Sequence, residues 1–549
     1  MESIFKPKLF SVLRKGYTKQ QFTTDALAGI VVGIVALPLA IAFAVASGVA
    51  PDKGLITAVV AGFIISFLGG SRVQIGGPTG AFIVIVYGII EKNGIDGLII
   101  STIMAGVILI VFGFLRLGTL LKYFPHPLIV GFTSGIALVI FSTQIKDAFG
   151  LNIEKVPSEF LDKWQVYFEN IHSFNPIAFI ITIVTILIVI YSKYLTKKVP
   201  GSFIAIILVT IAVQVFHLPV STIESFFGEI KGSVEFTVPN FDFSNMQIYL
   251  EAAITIALLG GIESLLSAVV ADGMISGNHR SNTELIAQGI ANVVTPFFGG
   301  IPATGAIART ATNVKNGGRT PVAGIIHAVT LLFIMLFFGK WAKLIPMSCL
   351  AGILIVVSYN MSEWRSFYTK LLGSSFDKLV LLTTFFLTVF VDLTVAIEIG
   401  VVLSAILFMK RMADMGNAIP DAIDKDILDD YSLIPKDISI YEISGPLFFA
   451  SSNRFCEVIK SNGFNSKILI IRMRHVPFID STGAINLRET LKTLQSAGTK
   501  IVLSGVNETV RKDLDKNRIS FLVGKANILD NFDAALERAK AVLTTLTEK

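Results

Sequence analysis

Cysteine is almost missing from this 549-residue chain, which has only Cys349 and Cys456. Two cysteines cannot build a disulfide framework, and neither sits at metal-ligand spacing. The six histidines are scattered without pairing. No metal and no cofactor are therefore expected. Charge is also scarce: 16% of residues are Asp, Glu, Lys or Arg, against about 25% in soluble globular proteins. No nucleophile–base arrangement or phosphate-cradling loop is present, which argues against an enzyme. The net charge of +6 would suggest nucleic acid in a soluble protein. Here the basic residues lie mainly in short loops, where they act as topology signals, so no nucleic-acid partner is expected.

What the chain has in abundance is hydrophobic sequence: 53% of residues and a mean hydropathy of +0.70. A membrane-spanning helix needs about 20 apolar residues. The first half carries runs near 25–47, 54–69, 78–91, 95–115, 127–147, 176–192 and 201–217. The second carries runs near 248–270, 283–299, 303–313, 321–338, 345–359, 377–393 and 395–409. An odd number of spans per half makes the second half enter the membrane with opposite orientation, an inverted repeat. The first run follows a basic segment and ends without a cleavage pattern, so it reads as a retained span rather than a signal peptide.

Loop charges agree with this topology. Arg72, Arg116 with Lys122, Lys193 with Lys197 and Lys198, His279 with Arg280, Lys315 with Arg319, and Lys410 with Arg411 share the side of the basic N-terminus. The longest opposite loop, 219–245, carries Glu224, Glu229, Glu235 and Asp242 against Lys231 alone. Positive-inside then puts both termini in the cytoplasm; Lys340 and Lys343 are exceptions. The domains read as an N-terminal segment 1–24 and a transport domain 25–414, with repeats 25–217 and 248–414. A charged linker 415–436 and a soluble domain 437–549 follow. In that last part, 467–473 and 500–505 read as buried strands, and 481–497 and 528–542 as amphipathic helices, making a small cytoplasmic α/β domain. The turn Asp480-Ser481-Thr482-Gly483 reads as a helix N-cap.

The two short runs, 78–91 and 303–313, carry the chemistry. Each opens on a Gly/Pro break: Gly76-Gly77-Pro78-Thr79-Gly80-Ala81, then Ile301-Pro302-Ala303-Thr304-Gly305-Ala306. The Thr-Gly-Ala copies are 304 − 79 = 225 residues apart. Interrupted segments at matching places in two halves point to a transporter's binding site. Half-helices starting there aim free N–H groups and positive dipole ends at the cavity, forming an anion site at Thr79, Gly80, Ala81, Thr304, Gly305 and Ala306, with Pro38 of the first run as a further substrate-binding residue. Arg309 either touches the anion or stands as fixed positive charge behind those donors; otherwise it is a cytoplasmic-end arginine. Glu263 lies mid-run, and the 225-residue offset matches it with Pro38. It reads as a proton carrier, a Na⁺ ligand or a partner for Arg309. Asp392 and Glu398 read as capping residues.

These residues resemble the sulfate permease (SulP) family of anion transporters over nearly the whole chain. The points of contact are Ala36-Leu37-Pro38-Leu39-Ala40, the Gly76–Gly80 break, Glu263, Ala303 to Asn313 and Gly317-Gly318-Arg319-Thr320. The C-terminal domain resembles a STAS domain. The resemblance implies a polytopic α-helical membrane protein of seven-plus-seven inverted-repeat fold, shared with uracil permeases. It implies a core (spans 1–4 and 8–11) that moves its anion site against a gate, often in a homodimer. An acid at the position of Glu263 is associated with cation coupling in bacterial relatives. Leu39 and Ala308 stand where many animal members have Gln and Ser, so the halide binding of those members is not carried over. The expected function is secondary transport of a small anion across the inner membrane: sulfate first, then bicarbonate or a dicarboxylate. Proton symport is the expected coupling, with Na⁺ symport or anion exchange as alternatives. A nucleobase permease of the same fold and a regulator working through its STAS-like domain, with a cytoplasmic partner, are the other classes.

Overall fold

The computed structural model describes residues 5–119, 125–153, 155–195, 200–228, 236, 246–391, 393–415, 434–464 and 466–547. Lys122, Lys197, Lys198, Glu229, Lys231, Glu235, Asp242, Asp392 and linker residues 416–433 fall outside these, as do the Lys193 and Lys340 side chains. The chain divides into two compact units, Met1–Val401 and Val402–Lys549, with the division falling inside one long helix.

Fourteen helices match the fourteen apolar runs among the described residues. In the first repeat they are α1 (Lys19–Ala46), α2 (Pro51–Leu68), α3 (82–93), α4 (95–114), α5 (His126–Thr143), α6 (Pro176–Leu195) and α7 (Gly201–Val215). Helices α3 and α4 abut at Gly94, whose φ of 69° breaks the helical path. In the second repeat they are α8 (Met246–Ile275), α9 (Ser281–Val294), α10 (Ile307–Lys315), α11 (Pro321–Ala342), α12 (Met347–Met361), α13 (Ser375–Phe390) and α14 (Leu393–Met415). Short helices at Lys8–Arg14, Phe160–Glu169 and Trp364–Leu371 were not anticipated; they lie outside the long apolar runs. Lys343, one of the two basic residues on the unexpected side, is paired with Glu224 at 2.8 Å.

Packing separates these helices into two groups. Helices α1–α4 pack chiefly with α8–α11, the strongest pairings being α4 with α9, α1 and α2 with α11, and α8 with α3–α4. Helices α5, α6 and α7 pack with α12 and α13 instead. Contacts between the groups are sparser, running mainly between α1 and α7, α1 and α12, and α3–α4 and α5. The first group is the core and the second the gate.

Between helices in lipid, water gives no hydrophobic drive, so close backbone approach matters more. Helices α4 and α9 meet glycine to glycine. A Cβ on Gly289 would stand 2.5 Å from the Gly106 carbonyl oxygen, and one on Gly106 2.6 Å from that of Gly289.

Around 110 residues at the C-terminus form a parallel four-stranded sheet, β3 (Ile438–Ser444), β4 (Ile468–His475), β5 (Lys500–Ser504) and β6 (Ile528–Leu529), in that order. Strand β4 is buried almost throughout (Ile468 to Met473), as an apolar run covered on both faces must be. One face packs α15 (Ser452–Gly463), α16 (Ser481–Ser496) and α17 (Glu508–Lys516); the other packs α18 (Phe532–Thr547). The segment read as one helix from 528 instead begins with strand β6, and the helix starts four residues later. Asn531 sets that start, its side-chain oxygen accepting from Ala534 N at 2.9 Å. Asp480 caps α16, accepting from Gly483 N at 2.7 Å, and its second oxygen holds Phe449 N at 3.0 Å.

Replacing Gly289 or Gly106 by Val should cost about 1–3 kcal/mol through overpacking. A lowered melting temperature of the detergent-solubilised protein is the expected readout, with Gly88→Val, whose Cβ position is open, as the control that leaves it unchanged.

Candidate functional site

The two breaks meet. Gly76–Gly77 forms strand β1 and Thr304–Gly305 forms β2, paired antiparallel with Gly76 opposite Gly305 and Gly77 opposite Thr304. The ladder continues through Ala306 N to Ile75 O at 2.8 Å. Helix α3 then begins at residue 82 and α10 at residue 307, an offset of 307 − 82 = 225 that matches the sequence copies. Because the strands are antiparallel, the two half-helices leave the ladder in opposite directions.

Arg309 joins the repeats across this ladder. Its side chain is only 2% exposed, and its guanidinium donates to the carbonyls of Gly76 (3.5 Å) and Pro78. Gly77 makes room for it: a Cβ there would lie 2.5 Å from Arg309 Nη1, and its φ of 143° disfavours any other residue. This geometry clamps the backbone behind the helix starts.

Glu263, on α8, is partly exposed and accepts a 2.9 Å hydrogen bond from Thr79 Oγ1. Thr304 has turned its hydroxyl inward to Gly260 O at 2.7 Å and is fully buried. The amide of Ala306 is taken by Ile75. The free donors at this end are therefore the first amides of α10, from Ile307 to Arg309, ahead of the first helical bond from Thr310 N to Ala306 O. Ile307 (38% exposed) and Ala308 are the exposed residues of that turn. Gly80 lies against Phe43 of α1, Ile140 of α5 and Met361 of α12, where core meets gate. Ala81 precedes α3 and is buried. Pro38 is buried within unbroken α1, outside this hydrogen-bonded cluster.

A polar stripe missed in the sequence holds the breaks in place. Glu284, Gln288 and Asn292 follow at four-residue spacing on α9, and all are fully buried. Glu284 accepts from Gly70 N (2.8 Å) and Ser71 N (3.0 Å), just before β1. Asn292 clasps Ala303 with both amide atoms, at 2.8 and 2.9 Å, just before β2. Gln74 donates to Ser264 O and Oγ, and Asn313 to Val73 O. The i, i+4, i+8 repeat of polar residues inside an apolar run was the available signal. On the far side, Tyr87 Oη donates to Val156 O at 2.5 Å, and Lys155 pairs with Glu91 at 3.6 Å. The neighbouring Lys163 is buried, which lowers its amine to about 8 against the opposing pull of Glu91.

These features define an inverted-repeat membrane carrier whose site is built from two crossed half-helices, with an appended α/β domain. The sulfate permease family model matches residues 22–384 and the STAS domain model residues 433–535. YvdB of Bacillus subtilis (strain 168), provisionally named a sulfate transporter, is 40% identical over 531 residues, covering 95% of this chain and 99% of its own length. The bicarbonate transporter BicA of Picosynechococcus sp. (strain ATCC 27264 / PCC 7002 / PR-6) is 29% identical, covering 94% of each chain. The solved structure of SLC26A9 shares the fold with a TM-score of 0.86 at 19% identity, over 98% of this chain and 93% of that one. The chain belongs to the sulfate permease family and is a multi-pass anion transporter, not an enzyme.

Lysine at position 309 carries charge but cannot span both carbonyls in a fixed plane. Arg309→Lys should orphan one of them at a cost of about 1–3 kcal/mol. The expected outcome is a lower apparent anion affinity in binding titrations, with normal chromatographic behaviour of the purified protein.

Proposed function

We propose that the protein accumulates a small oxyanion or carboxylate by proton symport, through alternating access of the core against the gate. Sulfate is the first candidate, as for YvdB, followed by bicarbonate, as for BicA, and dicarboxylates. The observation carrying this reading is the contact between Thr79 and Glu263 within the cluster spanned by Arg309. An ionised Glu263 engages the Thr79 hydroxyl and repels an anion. Protonation removes the repulsion and frees that hydroxyl to turn toward the anion, beside the open amides of Ile307 to Arg309. Proton and anion thereby raise each other's affinity, as linkage requires.

Two further observations support alternating access. The face of α10 through Ile307, Ala308 and Lys315 is exposed. On the opposite side, the bonds from Tyr87 and Glu91 tie α3 to the segment after α5. That is the arrangement of a carrier open toward its basic-loop side. Both termini then lie in the cytoplasm of a cell with the protein in its inner membrane. A homodimer is the working assembly, and the STAS domain meets a cytoplasmic partner.

The test is uptake of labelled sulfate, bicarbonate and fumarate into proteoliposomes, with and without an inward proton gradient. Wild type should accumulate one of them under the gradient, and Glu263→Gln should lose accumulation while retaining downhill flux. Acid-driven accumulation unchanged in Glu263→Gln would overturn the coupling role, and Na⁺-driven uptake would reassign the carboxylate to a sodium site.

A further inference from the structure

A cavity of about 650 Å³ lies between core and gate, away from the anion site. Leu37 and Ile41 of α1 form its core wall, and Ile206 and Thr210 of α7 its gate wall. Besides the Trp341 indole, Thr210 and Gln214 bring its only polar side chains, and no charged residue lines it among the described residues. The Thr210 hydroxyl is buried there without a hydrogen-bond partner. Its volume falls within the roughly 300–1,000 Å³ of ordinary ligand cavities.

The rim identifies the occupant. Val215 and Trp341 are 65% and 67% exposed, and Ile211 beside them is exposed too. On spanning helices such apolar surface faces lipid, and a tryptophan near a helix end marks the headgroup level. The cavity therefore opens sideways into the bilayer, at the ends of α7 and α11. A polar solute would find almost no partner inside, and a phosphate headgroup no cation. A flexible hydrocarbon chain fits both the wall chemistry and the route in.

We propose that this cleft is a binding site for one lipid acyl chain, which wedges between core and gate and sets the rate of their relative movement. The inference rests on the core-and-gate reading of transport. Leu37 is the immediate neighbour of Pro38, so a chain lodged against it bears on the helix that passes the anion site. Movement of α1 past α7 must reshape the cleft, and a chain that fits one arrangement better shifts the equilibrium toward it.

The experiment reconstitutes the full-length protein with phosphatidylcholine carrying a photoactivatable group on one acyl chain, then maps labelled peptides by mass spectrometry. Labelling of the segments holding Leu37–Ile41 and Ile206–Thr210 is expected, besides that of lipid-facing Ile180 and Phe337. Thr210→Trp and, independently, Ile206→Trp should fill the cleft, remove the label at Leu37–Ile41 and spare Ile180 and Phe337. Each should also change the initial uptake rate by about fivefold or more at unchanged KM. Label confined to the lipid-facing residues would overturn the site. Unchanged uptake in a filled variant that has lost the label would overturn its control of rate. Because labelling needs no transported anion, a wrong substrate or coupling ion leaves its result intact.

Discussion

Backbone at membrane depth has no water to bond with, so each N–H and C=O must find a partner within the protein. The two chain breaks meet that requirement in each other. A ladder of two residue pairs, with two residues from each repeat, satisfies the strands, and Arg309 reaches over it to the carbonyls that remain. The half-helices can start in the middle of the membrane only because this crossing exists. The site is thus a product of the repeat: neither half could hold its own break open without the other.

The supports behind the ladder are polar and deeply buried, which makes them costly unless every lone pair is used. Glu284 meets the condition with backbone donors from Gly70 and Ser71 and side-chain donors from Gln288 and Ser264. Asp25 does the same at the start of the core, taking the amides of Arg319 and Thr320 and the hydroxyls of Tyr17 and Thr320. That fastens the second turn of α1 to the N-cap of α11. Both carboxylates hold backbone rather than cations, so they lock geometry without placing a competing counter-ion beside Arg309. Glu263 differs. It is partly exposed and has one hydroxyl partner, so its charge is less firmly held than that of the buried pair.

Much of this was legible in the chain, for reasons that differ by feature. Span positions follow from apolar length, and the half-helices from runs that are too short and open on Gly/Pro. The 225-residue offset carries over to the helix starts at 82 and 307, each four residues into the run read from the sequence, because the residues of the break are spent on the strand ladder before a helix can begin. Register was not legible: Thr79 and Thr304 are equivalent in sequence, yet Thr304 opposes Gly77, and its hydroxyl goes to Gly260. Antiparallel pairing across a two-fold axis reverses one strand, so matching residues do not face one another. The stripe of Glu284, Gln288 and Asn292 was hidden because the apolar residues around it are enough to mark 283–299 as a span, whatever its polar positions do. The start of α18 was missed because Asn531 halts an amphipathic pattern that β6 shares for two residues.

The same offset exposes an asymmetry that the fold alone would not require. Arg309 corresponds to Val84, since 309 − 225 = 84, and Glu263 to Pro38. Thr310, whose hydroxyl accepts from Ile75 N, corresponds to Ile85. The second repeat therefore supplies the charges, while the first supplies carbonyls at Gly76 and Pro78 and the hydroxyl of Thr79. A symmetric pair of arginines would leave two like charges a few ångströms apart in a low dielectric, a repulsion of several kcal/mol even at an effective dielectric of about 20. One arginine balanced against one carboxyl group avoids that cost. In the proposed symport the same asymmetry sets the charge of the cluster: with Glu263 ionised it is near neutral, and with Glu263 protonated a single positive charge is left for the anion.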